Sequence, residues 1–90
     1  MKIYILTCIN EESTLVSCEV YKMLLSAQAD MICSAMSERD EFEKIGRPGN
    51  YCNIKDMSAS VGDEEYCYIF NITEKDLGTL NFRPIEELLQ

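Results

Sequence analysis

The chain has no histidine and no tryptophan, two prolines and four glycines in ninety residues, and only eight basic side chains. Without histidine, the Ser–His and Cys–His nucleophile pairs have no base, and zinc loses its common nitrogen ligand. A lysine could replace that base, but no S-x-x-K grouping occurs. Neither G-x-x-x-x-G-K-[ST] nor G-x-G-x-x-G is present, which removes the usual phosphate cradles. No apolar run approaches the roughly 18 residues of a membrane span. The opening "MKIYILTCINEE" lacks a full signal-peptide core and cleavage site and reads as a strand, so a cytoplasmic protein is expected. There the "NIT" sequon at Asn71 has no glycosylation meaning. Basic residues are scarce against sixteen acids, giving a formal charge of −8. That balance disfavours direct binding to nucleic acid or to an anionic membrane and favours a protein partner with a basic surface.

Cysteine is not scarce: Cys8, Cys18, Cys33, Cys52 and Cys67 make five. No two have C-x-x-C spacing, and the number is odd. Each sits beside apolar residues, so they read as reduced side chains rather than a metal or disulfide set.

Ninety residues that are 47% apolar suit one domain, 1–90, with a modest core. "KIYILTCI" (2–9) is β-branched and aromatic, with Ile3, Ile5, Thr7 and Ile9 opposite Tyr4, Leu6 and Cys8. After the polar "NEES", "TLVSCEVY" (14–21) alternates Val16, Cys18 and Val20 with Ser17 and Glu19, predicting a β-hairpin. Residues from about Lys22 to Lys44 predict a helix, with Ser26 or an earlier turn as its cap. Leu25, Ala29, Ile32 and Met36 form the expected buried stripe, widened by Met31 and Ala35, with Phe42 as an anchor near the end. "GRPGN" (46–50) stops the helix, "YCNI" (51–54) is a short extended piece, and "MSASV" (57–61) is a strand. "GD" (62–63) then predicts a tight hairpin turn into "EEYCYIFNI", whose Tyr66, Tyr68, Phe70 and Ile72 share one face. "TEKD" predicts a helical turn ending at Gly78, and "PIEELLQ" a short amphipathic tail. The expected fold is α+β: an antiparallel β-sheet of about four strands in the order β-β-α-β-β, with one long helix packed on one face. The other sheet face is also partly apolar, and the tail, a twin subunit or a target protein would cover it.

The acids fall into two groups. Glu38, Asp40, Glu41 and Glu43 lie near the helix C-terminus, where they oppose the macrodipole. Asp63, Glu64 and Glu65 lie at the hairpin tip. Neither group has calcium-loop spacing, and Glu38 and Glu41, although able to share a helix face, have no histidine partner, so no metal and no cofactor are expected. No carboxylate lies in an apolar stretch suited to acid–base work, and the chain is expected not to be an enzyme.

In layout, "MKIYILTCINEE", the hairpin into "SCEVY", the helix and the late "EEYCYIFNI" resemble small proteins encoded by phages and mobile elements, the anti-CRISPR and counter-defence type among them. The resemblance implies inhibition of a host defence protein by binding rather than catalysis, and it carries over no functional residue.

Three functions are compatible with these features. The first is an inhibitory protein-binding module whose two acidic groups imitate phosphates in a basic groove. The second is a homodimer that binds a small ligand, with Tyr66, Tyr68 and Phe70 at an apolar interface and Arg47 or Arg83 gripping an anion. The third is a structural accessory that pairs through its apolar second face.

Overall fold

The structure, a computed structural model, describes residues 1–77. Gly78, Arg83 and the "PIEELLQ" tail lie outside the described residues. The elements are β1 (Lys2–Asn10), β2 (Leu15–Tyr21), α1 (Leu24–Ile45), β3 (Tyr51–Ile54), β4 (Ser58–Gly62) and β5 (Cys67–Asp76). The architecture is the expected α+β one, an antiparallel sheet with one helix packed on it, and the sheet has five strands in the order β2-β1-β5-β4-β3. The fifth strand is "YCNI", which pairs with β4 from Tyr51↔Gly62 to Ile54↔Ala59 and forms one edge.

Period-two alternation decides which side chains meet the helix. Leu6 and Cys8 of β1, Ala59 and Val61 of β4, and Phe70 and Ile72 of β5 turn to one face and are buried. Against them α1 places Ala27, Met31, Ala35 and Phe42. This corrects the expected stripe, because Leu25 is 72% exposed and Ile32 and Met36 also face outward. Only Met31, Ala35 and Phe42 of the expected set point inward. Ala29 is exposed as well, so the helix is turned about its axis from the expected orientation, with Ala27 and Ala35 letting it lie close enough to bury Met31 between them.

The helix spans Leu24–Ile45, close to the expected bounds, and of the two expected starts it takes the earlier one. Met23 is the N-cap and makes no side-chain capping bond, while Ser26 sits inside the first turn. Tyr21 Oη instead donates to Asp30, and Ser34 Oγ donates to the same carboxylate at 3.3 Å, tying the end of β2 to the helix. At the other end Gly46 adopts φ 74° and its N–H reaches the Phe42 carbonyl at 3.1 Å. This left-handed position is one that glycine accepts without a Cβ clash. The helix runs unbroken past Ser37 through the acidic residues, with Lys44 offsetting part of their charge in the last turn.

"TEKD" forms no helical turn. It continues β5, paired with β1 from Ile5↔Thr73 to Lys2↔Asp76, because the neighbouring strand offers partners along its whole length. The second sheet face carries Ile5↔Val20 and Thr7↔Cys18 on β1 and β2, and Ile9↔Ile69 on β1 and β5. Toward β3 it becomes polar, with Asn71↔Ser58 and Ser60↔Asn53.

No helix among the described residues is long and apolar enough to cross a membrane.

Candidate functional site

The last turns of α1, the β1–β2 turn and the β4–β5 hairpin meet at one end of the molecule. Two aspartate- or asparagine-braced turns set its shape. Asn10 Oδ1 accepts from the Glu12 and Thr14 backbone N–H groups, each at 3.0 Å. These bonds hold the β1–β2 turn, in which Ser13 has φ 61°. Asp63 does the same work in the other hairpin, accepting from the N–H of Glu65 at 2.8 Å and of Tyr66 at 2.9 Å. Its own N–H donates to the Tyr66 carbonyl at 2.9 Å.

The hairpin is therefore longer than the expected "GD" turn, and β5 starts at Cys67, leaving Tyr66 in the loop. Gly62 does not have a positive φ. It is needed for space, since a Cβ there would clash with the Tyr66 carbonyl oxygen.

Asp63 is only 7% exposed. Arg47 Nε donates to its Oδ2 at 2.9 Å, Arg47 Nη1 lies 3.9 Å from Glu65 Oε2, and the guanidinium sits 4.8 Å from the Tyr66 ring centroid. Burial alone pushes the Asp63 carboxyl upward, but the Tyr66 and Glu65 N–H groups and the Arg47 guanidinium outweigh it and hold the pKa below its ordinary value. Asp63 thus builds the hairpin and locks it to the loop after α1. Of the three expected tip acids it is the buried one, while Glu64 and Glu65 are exposed.

Beside this lock lies a groove of about 440 Å³. Its helix wall is Glu38, Glu41, Phe42 and Ile45, and its strand wall is Asn10, Glu11, Val16 and Tyr68, with Arg47 and Tyr66 at one end. Spacings of three and four residues put the four helix residues on one face. The Phe42 and Tyr68 rings meet at 6.2 Å between centroids. Burial and then the nearby Glu41 charge raise the Glu38 pKa. Burial and then the Glu38 charge push the Cys8 thiol up to about 11. Tyr68 is raised by burial first, then by Glu38 and Glu11. The groove thus combines carboxylates with aromatic and aliphatic walls.

Glu38 and Glu41 converge there, with Glu41 3.3 Å from Lys44 on its outer side. Asp40 is exposed and lies 3.4 Å from Arg39. Glu43 is exposed beside a smaller cleft formed with Arg39, Asn50 and Tyr51. Glu64 is exposed and its side chain lies over Gly49, while Glu65 is exposed next to Arg47.

The aromatic trio is divided. Phe70 is buried under the helix, Tyr68 is half-buried in the groove wall, and Tyr66 is exposed. An interface built from all three is not available on one surface. Arg47 does reach the groove, but Asp63 engages its charge. Glu11, Val16 and Ile45 had no motif to mark them, and only the hairpin register brings the first two opposite the helix.

Among the described residues no group of three Cys, Asp or Glu side chains could hold a metal ion. All five cysteines are free thiols. No protein-family model, curated protein or solved structure matches the chain.

Proposed function

We propose that this protein is a non-catalytic acidic module that binds a partner protein through the C-terminal end of α1 and the adjoining hairpin tips. The partner we propose is a nucleic-acid-handling protein, such as a host defence nuclease, whose basic groove this end occupies in place of phosphates. The observation that carries the reading is the excess of carboxylates over cations at one end of the described residues, where Arg39 and Lys44 pair with Asp40 and Glu41 alone. Glu11, Glu38, Glu41, Asp40, Glu43 and Glu64 gather there. Arg47, the one arginine of the groove wall among the described residues, is neutralised internally by Asp63. Charge of one sign on a low-dielectric surface steers an oppositely charged partner and makes association sensitive to salt.

The same internal pairing counts against a ligand site built on Arg47 for an anion. Coulombic attraction between Arg47 and an incoming anion is opposed by Asp63 at 2.9 Å and by Glu65 at 3.9 Å.

Capture from a bacterial lysate tests the proposal, with mass identification at low and high ionic strength and with added DNA as competitor. The expected result is a nucleic-acid-handling protein retained at low salt and displaced by salt and by DNA. A variant with Asp40→Asn, Glu43→Gln and Glu64→Gln should lose most of that capture. A partner held equally well by this variant at high salt would overturn the electrostatic reading.

A further inference from the structure

The groove is more specific than the acidic rim around it. A volume of about 440 Å³ falls toward the lower end of the roughly 300–1,000 Å³ usual for ligand sites. That is room for one side chain or small molecule rather than for a run of backbone.

Its walls divide by chemistry. Phe42, Ile45, Val16 and Tyr68 are suited to an aliphatic stem, and Glu38 and Glu41 present two carboxylates one helical turn apart. Lys44 and Arg47 are the neighbouring cations. Lys44 pairs with Glu41 from an exposed position, and Arg47 is drawn away toward Asp63 and stacked on Tyr66. Glu38 is left half-buried, and no ion pair reaches it within the described residues.

We infer that this groove receives one arginine side chain of the partner, its guanidinium between the Glu38 and Glu41 carboxylates and its methylenes against Phe42 and Tyr68. A planar fork matches two carboxylates and an aromatic wall better than a compact ammonium does, because it can donate to both while its face lies on the ring. The internal Arg47–Tyr66 stack shows the same geometry formed at the end of the same groove, at 4.8 Å. The inference rests on the reading of a basic protein partner and names the group by which that partner is held.

The probe is the tripeptide acetyl-Gly-Arg-Gly-amide, titrated into the isotopically labelled protein and followed by amide shifts in two-dimensional NMR. Its lysine and citrulline analogues are run alongside. Saturable shifts are expected at Glu38, Glu41, Ile45 and Tyr68 with the arginine peptide. The lysine peptide should bind at least about threefold more weakly, and the neutral citrulline peptide should give no saturation. Glu38→Gln should weaken the arginine peptide about tenfold or more. Asp56→Asn, in the β3–β4 turn beside the first turns of α1 and away from the groove, should leave its affinity unchanged.

Equal binding of the citrulline peptide, or shifts confined to residues outside the groove, overturns the inference. Equal binding of the lysine peptide overturns the choice of a guanidinium. The peptide comparison needs no variant, so a misfolded substitution cannot obscure it. It is also independent of the lysate capture: a captured partner with a silent tripeptide titration sinks only the arginine slot, and groove shifts without salt-sensitive capture sink only the nucleic-acid-mimic reading.

Discussion

The first half of α1 and its last two turns meet the same sheet with different side chains. From Ala27 to Ala35 the inward positions are alanine, methionine and alanine, all fully buried. The helix can lie close there, and Val61 below is also fully buried. At the other end the inward residue is Phe42, flanked by Glu38, Glu41 and Ile45 on the groove side. A large ring and two carboxylates cannot close against strands as alanine does, and the open space beside them is the groove. The first half of the helix thus serves packing alone, and the second half combines one buried anchor, Phe42, with an open surface.

Phe42→Ala should break that contrast most severely. Phe42 is 5% exposed and is the only aromatic that α1 inserts. Its removal should cost about 3–5 kcal/mol in chemical denaturation, and it should also abolish the groove's aromatic wall. A loss below about 1 kcal/mol would mean that the far end of the helix is not anchored as described.

Asp63→Asn comes next and bears on the lock between the hairpin and Arg47. The native carboxyl has a folded-state pKa below its unfolded value. Its stabilisation is therefore present above the unfolded pKa and is lost as pH falls through the folded one. The variant should be less stable at neutral pH, and the difference should shrink on acidification as the native carboxyl protonates. Urea midpoints measured from neutral to acidic pH check this. A gap that widens toward acid would contradict the direction.

The outward ridge of the helix gives a smaller effect and tests which stripe is buried. Leu25→Ala and Met36→Ala should each change stability by no more than about 0.5 kcal/mol, whereas Met31→Ala should cost about 2–5 kcal/mol. The reverse order would restore the stripe expected from periodicity.

That stripe shows where the sequence was legible and where it was not. Strand alternation in "KIYILTCI" and "CYIFNI", the helix and its stop at Gly46 followed from local chemistry, and the class of fold with them. The inner face of α1 did not. Leu25, Ala29, Ile32 and Met36 make as regular a helical stripe as Ala27, Met31, Ala35 and Phe42, and a more hydrophobic one. Local periodicity does not choose between them; contact with the sheet does, with Ala27 and Ala35 flanking the buried Met31.

The "TEKD" segment departs from its local signal for a related reason. Its polar composition suits a helix start, but β1 offers hydrogen-bond partners as far as Lys2, and pairing overrides propensity. At the site, Glu38 and Glu41 were visible through their i,i+3 spacing. Asp63 looks in the sequence like one more tip acid, because nothing local announces that Arg47, sixteen residues earlier, turns back to it. Glu11 joins the groove through strand register, which is a long-range property.

The smallest expected effect separates Glu38 from Asp63, two carboxylates at the same end with opposite linkage. Burial and then Glu41 raise the Glu38 pKa in the folded protein. The fold therefore prefers its neutral form, and this favourable term is complete below the unfolded pKa and is lost as pH rises through the folded one. At neutral pH the charged carboxylate is tolerated rather than stabilising, since partial burial and Glu41 both oppose it. Glu38→Gln keeps the shape and removes the charge, so it should leave the protein equally or slightly more stable at neutral pH, within about 0.5 kcal/mol. That advantage should vanish in acid, where Glu38 is itself protonated. Paired urea titrations of the variant and the parent at neutral and acidic pH make the measurement. A clear loss of stability at neutral pH would show that an internal cation already satisfies Glu38. The groove would then lack the unpaired charge on which recognition of a partner's arginine depends.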